Sequence, residues 1–101
     1  MNKVEQHKAL CLGMNALFEK KNHDYGDSFS ETYRKLGIIS AVTQITHKYN
    51  RLVEIATSGQ QQVADETLED TLIDLANYSI MTVMELHDER IRKQNEVKSN
   101  E

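Results

Sequence analysis

The sequence contains no proline and no tryptophan, and it has only four glycines among 101 residues. An all-β sandwich or barrel would show turn residues every roughly 8–12 residues, and this sequence lacks turn residues at such a regular spacing. A nucleotide-binding α/β fold would carry a glycine-rich loop, which is also missing. The composition, 39% hydrophobic and 28% charged, is typical of a folded domain. The sequence therefore predicts one small all-helical domain.

Cysteine and long apolar runs are equally scarce. Cys11 is the single cysteine and cannot form an internal disulfide, which favours a reducing compartment. No apolar run approaches the roughly 18 residues that a membrane span requires. The first residues are too polar for a signal peptide. We therefore expect a cytoplasmic protein that does not contact membranes.

Positive charge is in the minority, with 12 basic and 16 acidic residues and a net charge of −4. A surface with this balance repels the phosphates of DNA and RNA, so direct nucleic-acid binding is not expected. A small phosphorylated ligand stays compatible with the charge, because a pocket can be basic inside an acidic protein.

Four helices are predicted in a single domain spanning residues 1–101, with a core at 4–88 and a polar tail at 90–101 that we expect to fray. The periodicity of apolar residues gives segments at Val4–Lys21, Ile38–Ala56 and Asp65–Leu86, the last with a possible extension to Arg92, and a short helix is predicted at Ser28–Gly37.

Polar segments separate these helices. Asn22–Asp27 predicts a turn, and Ser28 with Glu31 predicts a capping box that opens the second helix, which Gly37 ends. Thr57–Ala64 predicts a loop. The apolar face of the fourth helix is wider than a surface helix needs, so we expect a second copy of the chain to complete the bundle as a homodimer.

An acidic stripe on the fourth helix is the first candidate site. Asp70, Asp74 and Asn77 are spaced i, i+4 and i+7, which puts their side chains on one side of the helix. Two carboxylates one turn apart suit a hard cation such as Mg²⁺. The alternative is structural, because acids in a first helical turn are favoured by the helix dipole.

Lys48 is the second candidate. On a helical wheel it falls between Ala41 and Ile55, inside the apolar sector of the third helix, with Arg51 at the edge of that sector. An inward lysine must pair with a carboxylate or bind an anion, because an unpaired buried charge is unfavourable. Asp70, Asp74 or a ligand phosphate are the possible partners. Alternatively, the lysine extends along the apolar surface into water.

The segment from Lys20 to Phe29 is the third candidate. Asp24 and Asp27 could take part in metal or base recognition, and Tyr25 and Phe29 could stack on a nucleobase. The alternative is a loop and helix cap without a ligand. His7 falls on the apolar face of the first helix and is predicted to be packed, and Cys11 on the same face has no recognisable base beside it.

Three blocks together resemble the phage-associated family called the nucleotide modification associated domain. They are KNHDYGDSF at 21–29, KYNRL at 48–52 and EDTLIDLANY at 69–78. The helical layout also resembles the MazG-like all-α nucleotide pyrophosphatases, which hydrolyse nucleoside triphosphates with Mg²⁺. That resemblance implies Asp70 and Asp74 as metal ligands, Asn77 near the sugar or phosphate, and Lys48 and Arg51 for phosphate charge.

The sequence departs from the MazG-like pattern on the third helix. A Glu-Glu-x-x-Glu block is expected there, and the chain instead has Gln44, His47, Lys48, Arg51 and a lone Glu54. The resemblance therefore supports the fold more than the activity.

Three functions stay open at this point. The first is Mg²⁺-dependent pyrophosphohydrolysis of a nucleoside triphosphate, with Asp70 and Asp74 on the metal and Lys48, Arg51, Asn77, Asp24, Tyr25 and Lys21 on the substrate. The second is nucleotide binding without catalysis, or an accessory role in DNA modification. The third is a structural helical interaction protein. A closed ion pair between Lys48 and the acids would favour a scaffold, and an open cleft would favour a phosphate or metal site.

Overall fold

A computed structural model describes residues 1–58, 62–63 and 66–99 of the chain. Its helices are α1 (Lys3–Tyr25), α2 (Ser28–Leu36), α3 (Ile38–Ser58) and α4 (Leu68–Ser99). Two short strands, β1 (Gln62–Val63) and β2 (Glu66–Thr67), pair antiparallel between α3 and α4. The predicted small all-α bundle of four helices is confirmed, and the strand pair is an addition that the sequence did not predict.

The turn between α1 and α2 is much shorter than predicted. α1 runs on through Tyr25, so most of the expected turn at Asn22–Asp27 is helical. Gly26, at φ 72°, ends the helix and donates its amide to the carbonyl of Asn22 at 2.8 Å. The left-handed backbone at this position is one that glycine adopts without steric conflict.

The capping box predicted for α2 is wrong. Asp27 is the N-cap residue, and Ser28 is already the first residue of the helix. The amide of Glu31 donates to the backbone carbonyl of Asp27 at 3.1 Å, so the serine side chain is not needed there. Gly37, at φ 77°, ends α2 as predicted, and its amide donates to the carbonyl of Tyr33 at 2.7 Å.

A capping box does form, at the start of α4. The amide of Asp70 donates to Thr67 Oγ1 at 3.0 Å, and the amide of Thr67 donates to Asp70 Oδ2 at 3.4 Å. This reciprocal pair satisfies amides at the helix start that have no partner within the helix. The predicted start at Asp65 lies outside the described residues, as do residues 59–61 and 64 of the predicted loop, whereas Thr57 and Ser58 belong to α3.

The polar tail is helical instead of frayed. α4 continues to Ser99, and its exposed C-terminal part contains no glycine or proline that would interrupt it. Lys93 Nζ lies 3.2 Å from Glu89 Oε1, one turn earlier, in the order of charges that stabilises a helix.

The helices enclose a small core. Among the described residues, the contact between α3 and α4 is the most extensive, α2 packs on α3, and α1 lies against α4. The buried apolar side chains in this part of the chain are Tyr33, Ala41 and Ile55. None of the described helices combines the length and apolar character that crossing a membrane requires.

Candidate functional site

A cavity of about 340 Å³ lies where all four helices meet, and we call it the interhelical cavity. Its volume is within the range of small-molecule sites, roughly 300–1,000 Å³. Its lining includes Lys21, Tyr25, Phe29, Asp74, Tyr78 and Glu85.

One side of α4 forms a long wall of the cavity. Asp74, Asn77, Tyr78, Met81 and Glu85 all line it. Their spacing of i, i+3, i+4, i+7 and i+11 puts them on one stripe of the helix. The wall extends over eleven residues, or roughly 16 Å at the rise of an α-helix.

Asp74 joins α4 to two other helices at one end of this wall. Lys21 Nζ from α1 lies 3.1 Å from Asp74 Oδ1, and Lys48 Nζ from α3 lies 3.2 Å from Asp74 Oδ2. The Asp74 side chain is 18% exposed, the Lys48 side chain 25% and the Lys21 side chain 52%. Two ammonium groups therefore share one carboxylate, and the cluster carries a net charge of +1.

Lys48 thus has the inward orientation that its place on the helical wheel predicted. Its partner is Asp74, one of the three alternatives that the sequence left open. The ion pair is closed, which is the arrangement that the sequence associated with a scaffold. Lys48 itself does not line the interhelical cavity, whereas Asp74 and Lys21 do. The cluster therefore links three helices, and two of its three members also belong to the cavity wall.

Asp70 does not join this cluster. Its carboxylate accepts the amide of Thr67 in the capping box of α4, and it does not line the cavity. Within the described parts of the chain, no three His, Cys, Asp or Glu side chains are grouped closely enough to hold a metal ion. The arranged donors do not fit a divalent cation, because one carboxylate caps a helix and the other has an ammonium group on each oxygen.

Asn77 ties α4 to α1 beside the cluster. Its side-chain Nδ2 donates to the backbone carbonyl of Met14 at 3.3 Å, and the residue lines the cavity. The sequence predicted Asn77 on the same stripe as Asp74, and the structure brings the two together. Asn77 therefore lines the cavity one turn from Asp74 and fixes α1 against α4 there.

Aromatic side chains form the middle of the cavity. The rings of Phe29 from α2 and Tyr78 from α4 lie 5.9 Å apart between centroids, with 34° between their planes. Tyr25 also lines the cavity and is 76% exposed. The cavity therefore offers flat apolar surfaces that a planar ring can stack on.

Four predicted site residues do not line the cavity: Asp24, Lys48, Arg51 and Asp70. Arg51 NH1 lies 3.6 Å from Glu54 Oε2 on α3. The prediction that His7 is packed is wrong, because α1 buries none of its residues. His7 is exposed, with its Nδ1 atom 3.6 Å from Cys11 Sγ.

Glu85 is a site residue that sequence reasoning missed. It is only 4% exposed, it lines the cavity, and the hydroxyl of Ser30 on α2 donates to its Oε1. A signal was available, because Glu85 lies four residues after Met81 and seven after Tyr78 and so continues the stripe that Asp74 begins.

A second polar contact lies next to this end of the cavity. The hydroxyl of buried Tyr33 donates to Glu89 Oε2 at 2.8 Å. Burial raises the pKa of Tyr33 above its usual 10.0, and the hydrogen bond to Glu89 raises it further. The same hydrogen bond, followed by the one from Lys93, lowers the pKa of Glu89 below 4.5.

Comparison with known proteins identifies the family. The family described as "Nucleotide modification associated domain 1" matches residues 21–86, which include the lysines, the aromatic residues and the α4 wall described above. The chain belongs to this family. No curated protein and no solved structure matches it.

Proposed function

We propose that the domain binds a nucleotide in the interhelical cavity, with the phosphate at Lys21, close to the ion pair of Lys48 with Asp74, and the base against the aromatic side chains. The observation that carries the proposal is the order of groups along one cavity. The Lys21 ammonium group, paired with Asp74, stands at one end, and the aromatic rings of Phe29 and Tyr78 follow along the wall of α4. The family description, which associates the domain with nucleotide modification, supports the same class of ligand.

The phosphate end of the proposed site depends on hydrogen-bond donors of Lys21 that remain available to a ligand. An ammonium group has three hydrogen-bond donors, and Asp74 uses one from Lys21. Lys21 is half exposed and lines the cavity, so its remaining donors can reach a phosphate oxygen. In this proposal Asp74 ties Lys21 of α1 and Lys48 of α3 to α4, and its negative charge lies beside the phosphate position.

The base end depends on stacking. Phe29 and Tyr78 come from different helices, so a base lying on either ring would also fix α2 relative to α4. Base stacking on an aromatic side chain is worth about 1–3 kcal/mol per base. Tyr25 at the exposed end of α1 can cover the ligand from the solvent side.

Pyrophosphohydrolysis of a nucleoside triphosphate with Mg²⁺, as in the MazG-like enzymes, stays a prediction. So do the association with phages and the cytoplasmic location. A cation at Asp74 would first have to displace two ammonium groups, so the arrangement of side chains favours binding without metal. Release of pyrophosphate from a panel of nucleoside triphosphates in Mg²⁺ or Mn²⁺ would establish the enzyme, and nucleotide binding in EDTA without such release would establish the binding module.

We also propose that the functional unit is a homodimer. Large apolar side chains remain exposed along α3 (Val42, Tyr49, Val53) and along α4 (Leu72, Ile80, Val83). Each set lies on one stripe of its helix, and apolar stripes of this length mark contact surfaces more often than free ones. A second copy of the chain would bury them in a symmetric contact, which is the commonest kind of soluble oligomer.

The binding proposal is tested by measuring nucleotide affinity in EDTA for Lys21→Met and for Lys20→Met. Lys20 is the matched control, because it is the neighbouring exposed lysine on α1 and does not line the interhelical cavity. We expect Lys21→Met to weaken binding about tenfold, the scale of a lost charge-assisted hydrogen bond, and Lys20→Met to leave it unchanged. Equal effects of the two variants would contradict the proposed phosphate position.

A further inference from the structure

Glu85 is a buried charge that the nucleotide-binding proposal leaves unused. Ser30 donates to its Oε1, and no cation and no second donor pairs with it in the described part of the chain, residues 1–58, 62–63 and 66–99. A carboxylate taken out of water without a cation is unfavourable unless further hydrogen bonds compensate. Glu85 also lines the interhelical cavity, so those hydrogen bonds can come from a ligand.

No fully buried side-chain oxygen or nitrogen of the described residues lacks a hydrogen-bond partner, so the second carboxylate oxygen of Glu85 is accessible and can accept from a ligand. The chemistry of that ligand group follows from the carboxylate itself. An ionised carboxylate has about four acceptor sites and no donor. Ser30 occupies one of these sites from the α2 side. The ligand group that completes Glu85 must therefore present N–H or O–H donors, and two adjacent donors would match the two oxygens best.

The distance along α4 identifies which part of a nucleotide reaches Glu85. Asp74 and its lysines stand at one end of the wall, and Glu85 stands eleven residues further, roughly 16 Å along the helix. Tyr78 and its partner Phe29 lie between them. A nucleotide whose phosphate is at Lys21 and whose base stacks on these rings would direct the far edge of the base toward Glu85.

We infer that Glu85 reads the base and selects guanine, an inference that rests on the proposed nucleotide site. The edge of guanine carries two adjacent donors, the ring N1–H and the 2-amino group, which a carboxylate can accept together. Thymine and uracil offer one N–H between two carbonyl oxygens, which the carboxylate repels. Adenine and cytosine offer one amino group next to an acceptor nitrogen, so they make one hydrogen bond at most.

The test is a calorimetric titration of the full chain in EDTA with five nucleotides, dGMP, dIMP, dAMP, dCMP and dTMP. We expect dGMP to bind about tenfold or more tightly than dTMP, the scale of discrimination by one two-point contact with a base. dIMP lacks the 2-amino group and should fall between them. Equal affinities across the series, or a preference for dTMP, would overturn the inference.

The variant Glu85→Gln tests whether this residue determines the preference for guanine. Glutamine keeps the size of the side chain but replaces one acceptor oxygen with a donor, so the preference for dGMP over dTMP should shrink to near one. Lys21→Met is the control, because it should weaken all five nucleotides alike and keep their ratio. An unchanged preference in Glu85→Gln would overturn the inference, and if this variant does not fold, the wild-type series alone decides.

The two proposals fail in different ways. Binding of all five nucleotides with equal affinity would overturn the role of Glu85 and leave the nucleotide site standing. Absence of binding by every nucleotide would overturn both.

Discussion

Lys48 on α3 and Lys21 on α1 hold the same carboxylate, that of Asp74, from opposite oxygens at 3.2 and 3.1 Å. One aspartate thereby connects three of the four helices beside the interhelical cavity. Its effects on stability and on nucleotide affinity can be separated by experiment. Removal of its charge should lower the free energy of unfolding and raise the affinity for a nucleotide.

Asp74→Asn should lower the free energy of unfolding and strengthen nucleotide binding. The partly buried pairs are lost and two ammonium groups are left facing each other, which should cost about 1–2 kcal/mol of stability. The same change removes a negative charge beside the ligand phosphate, so affinity for a nucleoside monophosphate in EDTA should rise about fivefold, or about 1 kcal/mol. Urea unfolding and calorimetry measure the two effects.

Asp88→Asn is the matched control for this change, since Asp88 is an exposed aspartate on the same helix. It should alter neither quantity by more than about 0.5 kcal/mol. Loss of nucleotide binding in Asp74→Asn would contradict the account and would favour a role for Asp74 in holding a cation.

The capping box of α4 gives a second prediction. Thr67→Ala and Asp70→Ala should each reduce stability by about 1 kcal/mol, because each removes one half of the reciprocal hydrogen bonds. Glu69→Ala, one residue away in the same turn and exposed, should change stability by less than about 0.5 kcal/mol. Thermal unfolding followed by circular dichroism compares the three variants, and equal values for all of them would show that the cap does not stabilise the helix.

The raised pKa of Tyr33 predicts that the protein loses stability at alkaline pH. Its pKa is raised above 10.0 in the folded state, chiefly by burial and by the hydrogen bond to Glu89. Above pH 10.0 the unfolded chain ionises this tyrosine before the folded chain does, so the free energy of unfolding falls as the pH rises toward the folded-state pKa. Below pH 10.0 the contribution of this group is fully present.

The measurement for Tyr33 is the slope of unfolding free energy against pH between 9 and 11 in Tyr33→Phe and in Tyr49→Phe. Tyr49 is 59% exposed and serves as the control. We expect the slope to become shallower in Tyr33→Phe alone, since phenylalanine has no group to ionise. Identical slopes in both variants would mean that Tyr33 does not carry the alkaline instability.

The proposed homodimer predicts a solution mass of twice the 11.6 kDa of the chain by light scattering at micromolar concentration. Val83→Asp should shift the mass toward that of one chain, because it places a charge on the exposed apolar stripe of α4. Asn95→Asp, on the polar part of the same helix, is the control and should not. A wild-type mass of one chain would reject the dimer.

The sequence predicted the four helices well because their signals are periodic and local. The ends of the helices were harder to predict. Gly26 and Asp27 alone form the turn that was predicted over six residues. Asp70, which was predicted to bind a metal, instead caps α4 together with Thr67. Lys48 could be placed because an inward lysine is rare and must have a partner.

Other parts of the site depend on how the helices are arranged in three dimensions, which no periodicity reveals. The contribution of Lys21 to the Asp74 cluster joins residues 53 positions apart in the chain, and the contact of Ser30 with Glu85 joins residues 55 positions apart. Glu85 itself could have been noticed, since it lies four residues after Met81 and seven after Tyr78, on the same stripe of α4 as Asp74.

The most direct test of the central claim is chemical-shift mapping by NMR on the ¹⁵N-labelled chain as dGMP is added in EDTA. We predict that the amide signals that move most belong to the end of α1 and the start of α2, around Lys21, Tyr25 and Phe29, and to α4 from Asp74 to Glu85. Signals of the exposed tail from 90 to 99 should stay in place. Absence of any shift at millimolar nucleotide, or shifts confined to residues outside the interhelical cavity, would contradict the account.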